Sequence, residues 1–149
     1  TITECAAICA YLADAFADAN LAPALNDPAR GTYYRWMFFA AGPIETTVLH
    51  RALKFTVPED KRGMAGAGTV EDVTSALESA VSHGPYVCGD QFTAADVYLG
   101  SQLFWAMSFG MIEKKPAFEA YWSRLKDRPA HLRATDIDDA IIAAQKTAG

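Results

Sequence analysis

Two cysteines, Cys5 and Cys9, stand four residues apart near the start of the chain, and Glu4 directly precedes the first. On a helix that spacing puts both thiols on one face, a turn apart. Metal or redox chemistry needs a histidine, a further ligand or a Cys-x-x-Cys spacing beside such a pair. His50, His83 and His131 share no spacing with it, and Cys88 is isolated. Small residues of an alanine-rich helix are the plainer description of the two thiols. No metal site is expected, and no residue is assigned a catalytic role. Glu4 and Cys5 have a second use, because unpaired N–H groups and the positive dipole end make a helix start a place for a carboxylate ligand. The simpler alternative for Glu4 is an acid that complements that dipole.

Four other residues invite a chemical reading. Trp105 and Phe109 stand at i and i+4 and read, by spacing alone, as core aromatics. His50, in Leu49-His50-Arg51, is a lone helical histidine, which is more often a surface or satisfied group. Asp96 looks like a catalytic carboxylate until its spacing from Thr93 is noticed. Three residues after a threonine, it is the returning acid of a capping box, with Phe92 and Val97 as a buried hydrophobic staple.

The elements that would position these residues are helical. Thr3 can cap a first helix whose apolar stripe is Ile8, Tyr11, Leu12 and Ala15. Residues 20–26 read as a connector. Asp27-Pro28 then opens a helix through Tyr33, Tyr34, Trp36, Met37, Phe38 and Phe39. Pro43 should kink or split that helix before it resumes through Val48, Leu49, Ala52 and Leu53. Pro58, Gly63, Gly66 and Gly68 mark a loop. Thr69 and Asp72 cap the next helix, which Gly84-Pro85 stops. The helix capped by Thr93 runs to about Phe109, where Gly110 is a left-handed stop. Pro116 opens one more and Pro129 ends it. The last is expected to begin near Thr135 or Asp136. The fold class is therefore all-α, a helical bundle of six or seven helices.

Composition agrees. The chain has 149 residues, 51% of them hydrophobic and 21% charged, which suits an ordinary globular domain and excludes wholesale disorder. Its net charge of −5 and its lack of a basic run disfavour nucleic acid and anionic membrane as partners. Asp14, Arg30, Glu45 and Arg51 interrupt the most apolar stretches, so no membrane span is expected. Three cysteines without a dense framework, and a start without a basic n-region, point to the reducing cytoplasm.

The order of these signals resembles one family. Thr3-Glu4-Cys5-Ala6-Ala7-Ile8-Cys9-Ala10-Tyr11-Leu12 looks like the element that opens the last helix of the thioredoxin-like domain in glutathione transferases. Asp27-Pro28 is similar to the start of their first C-terminal-domain helix. Gly89-Asp90-Gln91-Phe92-Thr93-Ala94-Ala95-Asp96 resembles the family's capping box and staple. Arg128-Pro129-Ala130 resembles its Arg-Pro turn. Asp96, Tyr98, Leu99, Trp105 and Ala106 match a stretch of the bacterial beta class.

This resemblance implies a division of the chain. Residues 1–19 would be the last helix of an otherwise absent thioredoxin-like domain, and residues 20–149 the helical C-terminal domain. It implies glutathione binding at Glu4 and Cys5, with cysteine standing where the family has serine. Trp105, Phe109 and His50 would line the pocket of the hydrophobic co-substrate. The intact protein would be a homodimeric transferase of alkyl or aryl groups, joining glutathione, as co-substrate rather than cofactor, to a small hydrophobic electrophile. This truncated chain would be nearly inactive alone. The alternative is a non-catalytic helical binding or scaffold module of the same fold.

Overall fold

The computed structural model describes residues 1–147. Among them the chain is all-α, with α1 (Cys5–Ala15), α2 (Ala29–Phe39), α3 (Glu45–Ala52), a single turn α4 (Arg62–Ala65), α5 (Val70–Ser82), α6 (Ala94–Ser108), α7 (Pro116–Leu125) and α8 (Pro129–Thr147). None of these helices is long and apolar enough to cross a membrane.

Helix α6 is the axis of the bundle. Ala95, Leu99, Leu103 and Ala106 are buried on it, and α1, α2 and α7 pack around it. α2 contributes Tyr33, Trp36 and Met37; α7 contributes Phe118, Tyr121 and Leu125; α5 brings Val73, Leu77 and Val81 against α7. The spacings of three and four residues within each set are those of a helix face turned inward. Gly100 lets α7 approach closely, since a β-carbon there would collide with Leu125.

Several starts and stops form as their residues dictate. Pro28 is already helical, at φ −54° and ψ −30°, and Asp27 Oδ1 accepts the Ala29 N–H at 2.8 Å. Thr69 N–H donates to Asp72 Oδ2 at 2.9 Å, and Asp72 N–H donates back to Thr69 Oγ1 at 3.1 Å. Gly110, at φ +68°, ends α6 while Met111 N–H reaches back to Ala106 O. Pro43 splits its helix as expected. The split is a π-helical turn over Ala40–Ile44, which widens the backbone where the proline has no N–H to give.

Four expectations need correction. Ile8, Tyr11 and Leu12 are exposed, and α1 packs instead through Ala6, Cys9, Ala10 and Ala13. Small side chains allow the close approach to α6 that the larger ones would block. α1 also has no side-chain cap from Thr3; its cap residue is Glu4. The staple is not buried, because Val97 is 47% exposed. Its neighbour Asp96 is drawn into the core, which turns Val97 outward by one helical step. Finally, α8 begins at Pro129 rather than near Thr135 or Asp136, with the proline in the first turn where its missing N–H costs nothing.

Asp14 and Arg30 tie α1 to α2. The buried guanidinium donates to both Asp14 carboxylate oxygens, at 2.6 and 2.7 Å, and to Pro23 O at 2.7 Å. It also lies over the Tyr33 and Tyr34 rings, 5.1 and 4.9 Å from their centroids.

Candidate functional site

The start of α1 is strained where the sequence places a ligand contact. Glu4 sits at φ +68° and ψ 119°, and Cys5 follows as the first helical residue. That conformation is rare for a side-chain-bearing residue and costs on the order of 1–3 kcal/mol. It persists because α1 is anchored on both sides, by the Asp14–Arg30 pair and by its alanine face on α6. Glu4 and Cys5 are both exposed. Cys9 is half-buried, and burial pushes its thiol above the usual range.

Beside this helix start lies a polar cluster. Tyr98 Oη donates to Glu45 Oε1 at 2.7 Å, and Gln102 Nε2 donates to the same oxygen at 2.9 Å. Burial, then the bond to Glu45, pushes the Tyr98 phenol up to about 12, and the sulfur of Cys5 lies near enough to add to the effect. The π-turn delivers Glu45 here, since it ends at Ile44 and Glu45 is the next residue.

The same stripe of α6 turns apolar one step on. Tyr98, Gln102, Trp105 and Phe109 stand at i, i+4, i+7 and i+11, one face of a helix. The Trp105 and Phe109 rings stack at 5.5 Å with 15° between their planes, and both are exposed. The structure thus brings Trp105 and Phe109 together, on the face that begins beside Cys5. Among the described residues the His50 ring makes no aromatic contact with either of them. Its ring packs on Phe55, 4.9 Å between centroids, and lines a hollow of about 500 Å³ with Thr47, Arg62 and Glu71.

Asp96 serves structure. Its buried carboxylate accepts from Val87 N–H at 2.9 Å, Thr93 N–H at 2.8 Å, Thr93 Oγ1 at 3.1 Å and Tyr121 Oη at 2.8 Å. Burial pushes its carboxyl upward while these four donors oppose the shift. Sequence reasoning passed over Glu45 and Gln102. The signal available was Gly42-Pro43 inside a helix, which forces an irregular turn and re-aims the residue after it.

The strained helix start, the polar cluster and the exposed aromatic stack are the candidate site of this all-α domain. The family profile described as "Glutathione S-transferase, C-terminal domain" matches residues 65–134. Glutathione S-transferase GstA of Escherichia coli O157:H7 is 28% identical over 147 residues, which cover 95% of this chain and 67% of the relative. A glutathione S-transferase structure from Actinobacillus pleuropneumoniae superposes with a TM-score of 0.76 at 25% identity, over 93% of this chain and 64% of that one. The bacterial beta class glutathione S-transferase of Sphingomonas chungbukensis gives a TM-score of 0.67 at 27% identity, over 89% of this chain and 67% of that one. The chain is thus similar to glutathione transferases over nearly its whole length, and its residues 65–134 match their C-terminal domain. It spans about two thirds of the length of these relatives.

Proposed function

We propose that this chain is the helical part of a beta-class-like glutathione transferase, and that the intact cytoplasmic protein joins glutathione to a small hydrophobic electrophile. In that reaction the glutathione sulfur forms a bond to an electrophilic carbon, the carbon's leaving group departs, and the thiol proton passes to solvent. Helix α1 belongs to the thioredoxin-like half, which supplies the thiol-activating group and most contacts to the tripeptide. Glu4 and the N–H of Cys5 hold the γ-glutamyl end. Trp105 and Phe109 form the co-substrate wall.

The observation that carries this reading is the strained Glu4 at φ +68°, set at a helix start beside the stripe that leads to Trp105. Strain of this kind is retained where a site needs a fixed backbone. A carboxylate on helix N–H groups is a small share of a whole glutathione site. Alone it should bind no better than millimolar, about −4 kcal/mol.

Titrating the 149-residue chain with glutathione tests this. Amide shifts at Glu4 and Cys5 with millimolar saturation are expected. Micromolar affinity would place the main contacts in the helical domain, and absence of any shift at these two residues would remove the α1 subsite.

A further inference from the structure

The paired stripes of α3 and α6 have a direction. On α3, Glu45 and Leu49 stand one turn apart; on α6, Gln102 leads to Trp105 and Phe109. Glu45 is bonded to Tyr98 and Gln102 on α6, and Arg51 Nη1 donates to Met111 O at 2.6 Å just past the end of α6, so successive turns of α3 are tied by side chains to successive parts of the α6 region. Between these ties Leu49, Trp105 and Phe109 are all exposed. The wall therefore has an apolar length and one acidic end.

That acidic end is unusually organised for a surface group. Glu45 is exposed, yet a buried tyrosine and a glutamine both spend their donors on one of its oxygens. Among the described residues Oε2 receives no hydrogen bond and Glu45 has no cationic partner. Arg51 stands on another face of α3, six residues on, and is committed to Met111 O. A carboxylate fixed in place, with one free oxygen and uncompensated charge, complements a cationic donor.

We infer that Glu45 selects the co-substrate: the Trp105–Phe109 wall takes molecules with an aromatic body and a protonated amine, the amine on Glu45 Oε2, and it disfavours aromatic carboxylates. This rests on the reading of that wall as the co-substrate site. The bonds from Tyr98 and Gln102 pin the carboxylate, so little side-chain entropy is lost when a ligand binds.

The test uses two matched probes, 1-naphthylmethylammonium and 1-naphthylacetate, titrated into the 149-residue chain while the Trp105 indole N–H is followed by NMR. The ammonium probe is expected to bind about five-fold more tightly, the factor an exposed ion pair supports. Glu45→Gln keeps an oxygen for Tyr98 and Gln102, so its melting temperature should hold while the gap closes through weaker ammonium binding. Trp105→Ala should weaken both probes. Raising salt to about 0.5 M should narrow the gap in the unmodified chain without any substitution. Equal binding of the two probes, or a gap that survives both Glu45→Gln and salt, overturns the role of Glu45 and leaves the wall standing. Failure of both probes to move Trp105 overturns the wall, and this inference with it.

Discussion

At the scale of single residues, two positions carry free energy in opposite directions. Glu4 holds a positive-φ conformation that costs a side-chain-bearing residue more than it costs glycine. Glu4→Gly should therefore raise stability by about 1 kcal/mol in denaturant unfolding, even after the glycine's extra freedom in the unfolded chain is counted. The same change removes a carboxylate from the start of α1 and should weaken glutathione-induced shifts there, so stability and binding should move apart. Asp96 is the contrary case. Removing its side chain leaves the Val87 and Thr93 N–H groups and the Tyr121 hydroxyl without acceptors in a sealed core. Asp96→Ala should cost about 3–5 kcal/mol, against about 1 kcal/mol for Thr93→Ala, whose N–H still reaches Asp96. Because the two share a network, the double variant should cost less than the sum. Denaturant midpoints of the three variants decide it, and strict additivity would contradict the shared network.

At the scale of elements, helix starts and crossings set what can be altered. The Asp72 carboxyl lies below the ordinary aspartate range because the Thr69 N–H and hydroxyl both donate to it. A depressed folded value means that the cap's contribution is present above the ordinary range and is lost as pH falls through the folded value. The first turn of α5 should thus lose amide protection on acidification, and Asp72→Asn should flatten that loss. Gly100 governs a crossing. Alanine there favours an isolated helix, yet its methyl would enter the space of buried Leu125. Gly100→Ala should cost about 1–3 kcal/mol in thermal or denaturant unfolding. Which elements were legible follows from the same physics. The caps at Asp27, Thr69 and Thr93, the Gly110 stop and the split at Pro43 depend on residues within a few positions, so the sequence displays them, whereas Thr3 loses its expected cap to Glu4 at positive φ. The inward face of α1 does not. Its stripe of large residues is more apolar than its alanine face, but small side chains win because α6 passes close by. Pro129 was open to either reading, since proline ends one helix and begins another equally well. Among the candidate site residues, Trp105 and Phe109 share a face because one helix carries both. Glu45 joins that face only through a fold contact between α3 and α6, which no spacing announces.

At the scale of the whole molecule, the unresolved balance is between surface and core. Ile8, Tyr11, Leu12 and Phe16 of the α1 region are exposed, and so are Tyr34 and Phe38 on α2. The aromatic run from Tyr33 to Phe39 is therefore not one sticky surface, because Tyr33, Trp36 and Met37 belong to the core. Tyr34 and Phe38 stand at i and i+4 and present one narrow apolar strip along α2. A thioredoxin-like half would cover α1, which leaves this strip on α2 as the place for a second copy of the chain. A symmetric pair meets the same residues twice, so a strip of two aromatics contributes four rings to the interface. A standard interface buries about 1,600 Å² in total, more than this strip alone supplies, and neighbouring polar residues of α2 must make up the remainder. The chain is accordingly expected to sediment as a concentration-dependent dimer at tens of micromolar. Phe38→Glu sets two like charges against each other across the axis and should return it to monomer without lowering its melting temperature, because Phe38 is 68% exposed in the single chain. If association persists in Phe38→Glu and disappears in Leu12→Glu instead, the contact lies on the α1 face, and the strip on α2 is ordinary surface.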